Sequence, residues 1–138
     1  MKVIGIAIDK SKANFYVAEQ DGYGKIKNLT GDFKFLELKN DTDNASVREF
    51  MKMVHNYFDV NQPDRIVILA RQTKGRFRAS PISFKIETLL QCYEEIEVEF
   101  VSSPKLTAFF KKNELDLPLE YNYQENAAKV AFYICSNE

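Results

Sequence analysis

The sequence predicts an α/β fold. It consists of a five-stranded mixed sheet, with a three-strand meander followed by two parallel strands, flanked by helices. Three observations carry this. The opening run VIGIAID (residues 3–9) is almost wholly apolar, as in a strand covered on both faces. Further β-type segments follow before any helical period appears. After that, amphipathic helices alternate with short β-branched runs, which makes parallel crossovers.

The elements follow in order. Val3–Asp9 is the central strand, and Lys10, Ser11 and Lys12 make a turn. Asn14–Glu19 (NFYVAE) is aromatic and β-branched, and reads as the second strand of a hairpin. Asp21-Gly22 and Gly24 mark the next turn. The third strand is either Lys25–Leu29 or Phe33–Leu38, whose FKFLEL alternates like an exposed edge. Ser46 and Glu49 fit a capping box, and Val47, Phe50, Met51, Val54 and Phe58 follow at helical spacing. That helix ends near Val60, before Gln62-Pro63. Arg65–Ala70 is a second buried strand. Ser80-Pro81 then opens a helix whose stripe is Ile82, Ile86, Leu89, Leu90 and Tyr93. Glu97–Val101 is the fifth strand. Ser103-Pro104 repeats the cap signal before Leu106, Phe109 and Phe110. The last helix runs from about Asn122 to Cys135. Its small face of Ala127, Ala128 and Ala131 suits close packing on a sheet.

The chain has 138 residues, read as a single domain over 1–138 with a real core. Apolar residues make up 45% and charged residues 28%, the balance of a soluble globular chain. A net charge of −1 rules out strong nonspecific attraction of the whole surface to nucleic acid or anionic membrane. No apolar run approaches a membrane span, and no export signal is seen, so the expected location is cytoplasmic. Cys92 and Cys135 lack metal-ligand spacing, so they read as reduced thiols rather than a zinc site. His55 reads as a surface residue on its helix. Tyr121 and Tyr123 read as packing residues that tie down the last helix. With neither a P-loop nor a GxGxxG, a nucleotide cofactor has no support.

Four segments carry a resemblance: VIGIAID, DRIVILARQTKGRFRASPISFKIETLLQCY, IEVEFVSSPKLTAFFKK and YQENAAKVAFYI. Together they resemble a small bacterial family of unknown function. That family lies near RuvC-type Holliday-junction resolvases in the ribonuclease H-like superfamily. The likeness spans most of the chain outside roughly residues 20–45. It implies a ribonuclease H-like fold. Nucleases of that fold use three or four carboxylates to hold two Mg²⁺ or Mn²⁺ ions, which need oxygen ligands. The resemblance implies one acid near the end of the first strand, another after the first helix, and one or two on the last helix.

This chain departs from that pattern. Gly5-Ile6 is followed by Ala7 where an acid is expected. Asp9 lies two residues on, on the same face, displaced by about 6–7 Å. The strand RIVILARQ ends in Ala70, Arg71 and Gln72 without an acid. The last helix offers Glu125, with Ala128 and Lys129 where a further acid could stand, and Glu87 is one helix away. The candidate catalytic residues are therefore Asp9, Glu125 and Glu87, with Asp9 and Glu125 as metal ligands. Simple structural roles compete with these: a strand-end turn for Asp9, and a helix-dipole partner for Glu125.

Between Asp64 and Glu87 the chain has six basic residues and no acid. RQTKGRFRAS interleaves arginines with an aromatic. This points to Arg71, Lys74, Arg76, Phe77 and Arg78 as nucleic-acid contacts, by phosphate pairing and base stacking. The competing readings are a solvated loop and a protein-docking loop.

Three functions follow. The first is a ribonuclease H-like domain that binds DNA or RNA with a degenerate or altered metal site. The second is an active Mg- or Mn-dependent resolvase-like nuclease. The third is a non-catalytic protein-interaction module or homodimer.

Overall fold

A computed structural model of the chain describes residues 1–71 and 80–137. The strands are β1 (Lys2–Asp9), β2 (Lys12–Gln20), β3 (Ile26–Asn28), β4 (Phe35–Glu37), β5 (Arg65–Leu69) and β6 (Val98–Val101). The helices are α1 (Asn44–Asn61), α2 (Pro81–Gln91), α3 (Ser103–Phe110) and α4 (Glu125–Ser136). A 3-10 turn, Asn122–Gln124, precedes α4.

One sheet runs β3-β2-β1-β5-β6, with β4 also paired to β2. β1 lies antiparallel to β2 and parallel to β5, and β5 is parallel to β6. Both pieces that competed for the third strand are therefore strands. β3 takes one end of β2, at Ala18–Gln20, and β4 takes the other, at Lys12–Asn14. The sheet has six strands because β2 is long enough to hold two short partners on one edge.

Side chains alternate across β1, and the alternation builds two cores. Ile4 and Ile6 join Phe15, Val17, Ile66 and Ile68 under Phe50, Val54 and Phe58 of α1 and Ile86 and Leu90 of α2. Val3 and Ala7 join Tyr16, Ala18 and Val67 under Ala127, Ala128, Ala131 and Ile134 of α4. On this second face α4 sits almost on the β1 backbone. A Cβ placed on Gly5 would lie 2.3 Å from the Ala127 carbonyl oxygen and 2.7 Å from the Ala131 nitrogen. Only glycine permits that approach.

Two local expectations are corrected. Asp43, not Ser46, caps α1, accepting from the Ser46 amide. The Ser46 hydroxyl instead accepts from the Asn40 amide. The end of α1 is as expected: the helix closes at Asn61, before Gln62, which turns left-handed at φ 47°. Within the Ser102-Ser103 pair before Pro104, Ser102 is the cap of α3, accepting from the Lys105 amide. His55 is half-buried: its Nε2 lies 2.8 Å from the Leu89 carbonyl oxygen, and its ring meets Phe58 and Tyr93. It fastens α1 to α2. Among the described residues no helix is long and apolar enough to cross a membrane. Cys135 is buried and Cys92 exposed.

Candidate functional site

A cleft of about 610 Å³ opens where β1 and β5 end and α2, α3 and α4 begin. Its position follows from the fold. The parallel strands point their carboxyl ends here, and α4, pressed onto Gly5, brings its first turn alongside. Asp9 from β1 and Glu125 from α4 both line it, so these two predicted residues are brought together. Asp9 is exposed, and Glu125 pairs with Lys129 at 2.9 Å, one turn along the helix.

Glu87 has a different role. It forms an ion pair with Arg71, whose side chain is only 8% exposed. The Arg71 Nη1 donates to Ser83 Oγ at 3.2 Å, and its guanidinium lies 3.9 Å over the Phe84 ring. Burial pushes the Arg71 pKa down from its ordinary value. The arginine at the end of β5 is thus neutralised by the very acid that was a candidate ligand. Arg71 still lines the cleft, with its Nε unpartnered. The other predicted nucleic-acid contacts, Lys74, Arg76, Phe77 and Arg78, lie outside the described residues.

Among the described residues two carboxylates, Asp9 and Glu125, line the cleft. A centre for two hard cations draws on more oxygen donors than that. Ala7 lines the cleft from β1, and Glu87 is paired with Arg71. Lys12 stands directly across the hairpin from Asp9. Among the described residues no group of three or more His, Cys, Asp or Glu side chains is placed to hold a metal.

The cleft instead presents amides and hydroxyls. Asn14 faces Ala7 across the β1–β2 pair and is only 5% exposed. Among the described residues no side-chain hydrogen bond holds its amide, which keeps contact with solvent at the cleft wall. Among the described residues the Ser80 hydroxyl is buried without a partner: although Ser80 sits at the N-cap of α2, its side chain makes no cap bond. Asn122, Asn126, Ser83, Ser103 and the charged Lys10 also line the cleft.

Tyr123 also lines the cleft. It meets Phe35 edge-on at 5.7 Å and stacks on Tyr121 at 5.4 Å. The two tyrosines pack through ring contacts while staying partly exposed, Tyr121 at 50% and Tyr123 at 38%. Buried Gln124 anchors this turn, its Oε1 accepting from the Glu120 and Tyr121 amides. Sequence reasoning passed over Asn14, although it shares a face with Tyr16 and Ala18 in a buried strand. A polar residue in that register was the available signal.

Comparison with known proteins agrees with this architecture. A sequence model of a family described as "Protein of unknown function (DUF3010)" matches residues 1–134. No curated protein matches in sequence. Among solved structures, RuvC of Thermus thermophilus superposes with a TM-score of 0.75 at 12% identity, over 95% of this chain and 91% of that one. T. thermophilus RuvC in complex with Holliday junction substrate gives 0.74 at 12% identity, over 99% and 96%. The yeast mitochondrial Holliday junction resolvase Ydc2 gives 0.62 at 12% identity, over 97% and 75%. At such identities the likeness establishes the fold, which is ribonuclease H-like.

Proposed function

We propose, from the premise that this chain belongs to the DUF3010 family and carries a ribonuclease H-like fold, that it binds nucleic acid in the β1–α4 cleft without a working pair of metal ions. One observation carries the reading. The cleft sits where a resolvase of this fold would keep its acids, yet it is lined by Ala7, Asn14, an internally paired Arg71 and serines. The likeness to a RuvC solved with its Holliday junction makes a branched DNA the first ligand to try. Lys74, Arg76 and Arg78 follow β5 in the sequence and carry phosphate-seeking charge.

Asp9 and Glu125 do share the cleft, which favours metal-dependent nuclease activity as a second reading. Two carboxylates, one paired with Lys129 and the other opposite Lys12, weigh against it.

The test is a binding titration of labelled branched, duplex and single-stranded DNA in EDTA over a salt series. Binding is expected in EDTA, weakening steeply with salt. The Arg76→Ala/Arg78→Ala double variant is expected to bind more weakly, with a shallower salt slope. Binding that requires a divalent ion, or that the double variant leaves unchanged, counts against the reading.

A further inference from the structure

Asn14 is the one polar residue among the buried positions of β2. It is 95% buried by the 5% exposure that remains, unpartnered among the described residues, and set in a strand whose other buried positions are apolar or aromatic. The amide meets solvent only at the cleft wall and is not tied to any neighbour among the described residues, so it is free to bond to something that enters the cleft. A carboxamide offers one acceptor and two donors on a planar edge.

The register places an aromatic surface beside it. Ala7, Asn14 and Phe35 are paired across β1, β2 and β4, so they share one row and one face. Phe35 touches Tyr123, and Tyr123 stacks on Tyr121 with ring planes 12° apart. All three rings are exposed, at 43%, 38% and 50%. Lys12 caps the row, with its Nζ 4.9 Å over the Phe35 ring. A continuous exposed aromatic strip running to the Asn14 amide has a flat face, a hydrogen-bonding edge and a nearby cation. An unpaired nucleobase has the complementary parts: a π-face, a polar edge and a phosphate.

We infer that Asn14 and the Phe35–Tyr123–Tyr121 strip form a site for the unpaired bases of single-stranded nucleic acid, with Asn14 reading a base edge and Lys12 meeting the backbone. The inference rests on the nucleic-acid reading above and names which form of nucleic acid the cleft takes. A protein partner is less well matched, because an apolar peptide face would leave the Asn14 amide unpaired.

The test uses oligonucleotides carrying 2-aminopurine, whose fluorescence falls on stacking. The protein has no tryptophan to compete with the signal. Wild-type protein is expected to quench the probe and to prefer single strands over duplex. Tyr121→Ala/Tyr123→Ala, both at exposed positions, is expected to abolish quenching and weaken single-strand binding about 5- to 150-fold per lost stack. Asn14→Leu is expected to flatten the preference among homopolymeric strands while its melting temperature stays equal to or above that of wild type.

If these variants bind single strands as wild type does, the site assignment falls while the nucleic-acid reading stands. If wild type binds no nucleic acid in any form, both fall. If instead the double tyrosine variant dissolves a concentration-dependent dimer seen by sedimentation, the strip belongs to a second copy and the inference is overturned.

Discussion

The two faces of the sheet are made of opposite materials. Under α1 and α2 lie large side chains: Phe15, Phe50, Tyr57, Phe58 and a set of isoleucines, with Phe15, Phe33 and Tyr57 ring to ring at 4.4–5.4 Å. Under α4 lie Gly5, Ala127, Ala128 and Ala131, and the helix nearly touches the β1 backbone. The first face gains its stability from buried area, roughly 1.5–3 kcal/mol for each large side chain taken fully from water. The second sacrifices that area for closeness, and closeness is what delivers the first turn of α4 to the end of β1. The lesson is a division of labour: one face holds the molecule together, and the other positions the cleft.

Breaking the large face should cost most. Phe58→Ala is expected to lower stability by about 3–5 kcal/mol, read from chemical denaturation, with little change in ligand affinity once the protein is folded. Next comes the pair at the cleft floor. Glu87→Gln leaves a mostly buried guanidinium short of its counter-charge and is expected to cost about 3 kcal/mol. The close face comes third. Gly5→Ala drives a methyl into the α4 backbone, so about 1–3 kcal/mol of stability should be lost. It should also displace the α4 first turn, so that nucleic-acid binding drops more than the stability loss explains. A Gly5→Ala protein that binds as wild type does would show that closeness is not what positions the site.

Two smaller effects sharpen the contrast. Arg65, bonded to Glu99 at 2.6 and 2.9 Å, holds that carboxyl below the ordinary carboxylate range. A depressed carboxylate stabilises the fold above its unfolded pKa, and the contribution is lost as pH falls through the lower folded value. The stability gap between wild type and Glu99→Gln should therefore close as pH is lowered from neutral to below 4, about the unperturbed carboxylate value. On the large face, the Tyr57 hydroxyl is buried without a partner, and burial pushes its pKa up. Tyr57→Phe is expected to be neutral or stabilising by about 1 kcal/mol at most, with no effect on binding. Asn14→Leu should resemble it in stability and differ from it in binding. The two buried polar residues thus separate a packing compromise from a site.

The legibility of these features in the sequence follows the same division. β1, β5 and the packing of α4 were readable because burial on two faces leaves an unbroken apolar run, and alanines at helical spacing announce a close approach. The meeting of Asp9 and Glu125 followed from that topology. The third strand was ambiguous because β3 and β4 are three residues each, half exposed, and gain definition only from pairing with β2. The α1 cap was misplaced because Asp43 and Ser46 both offer cap oxygens, and only the backbone path chooses between them. The Arg71–Glu87 pair depends on how α2 lies against the end of β5, which no local pattern encodes. The aromatic strip draws on residues 35, 121 and 123, far apart in the chain, so only the fold assembles it.

The most direct test of the central claim is one set of samples: wild-type and Asp9→Asn protein with labelled branched DNA, in EDTA and in Mn²⁺, with bound fraction and products measured together. The expected result is equal binding in both buffers by both proteins, with the DNA left intact. Manganese-dependent cleavage by wild type that Asp9→Asn abolishes would contradict the account, because the cleft would then hold the metal chemistry that Ala7, Lys12 and the Arg71–Glu87 pair are argued to have displaced.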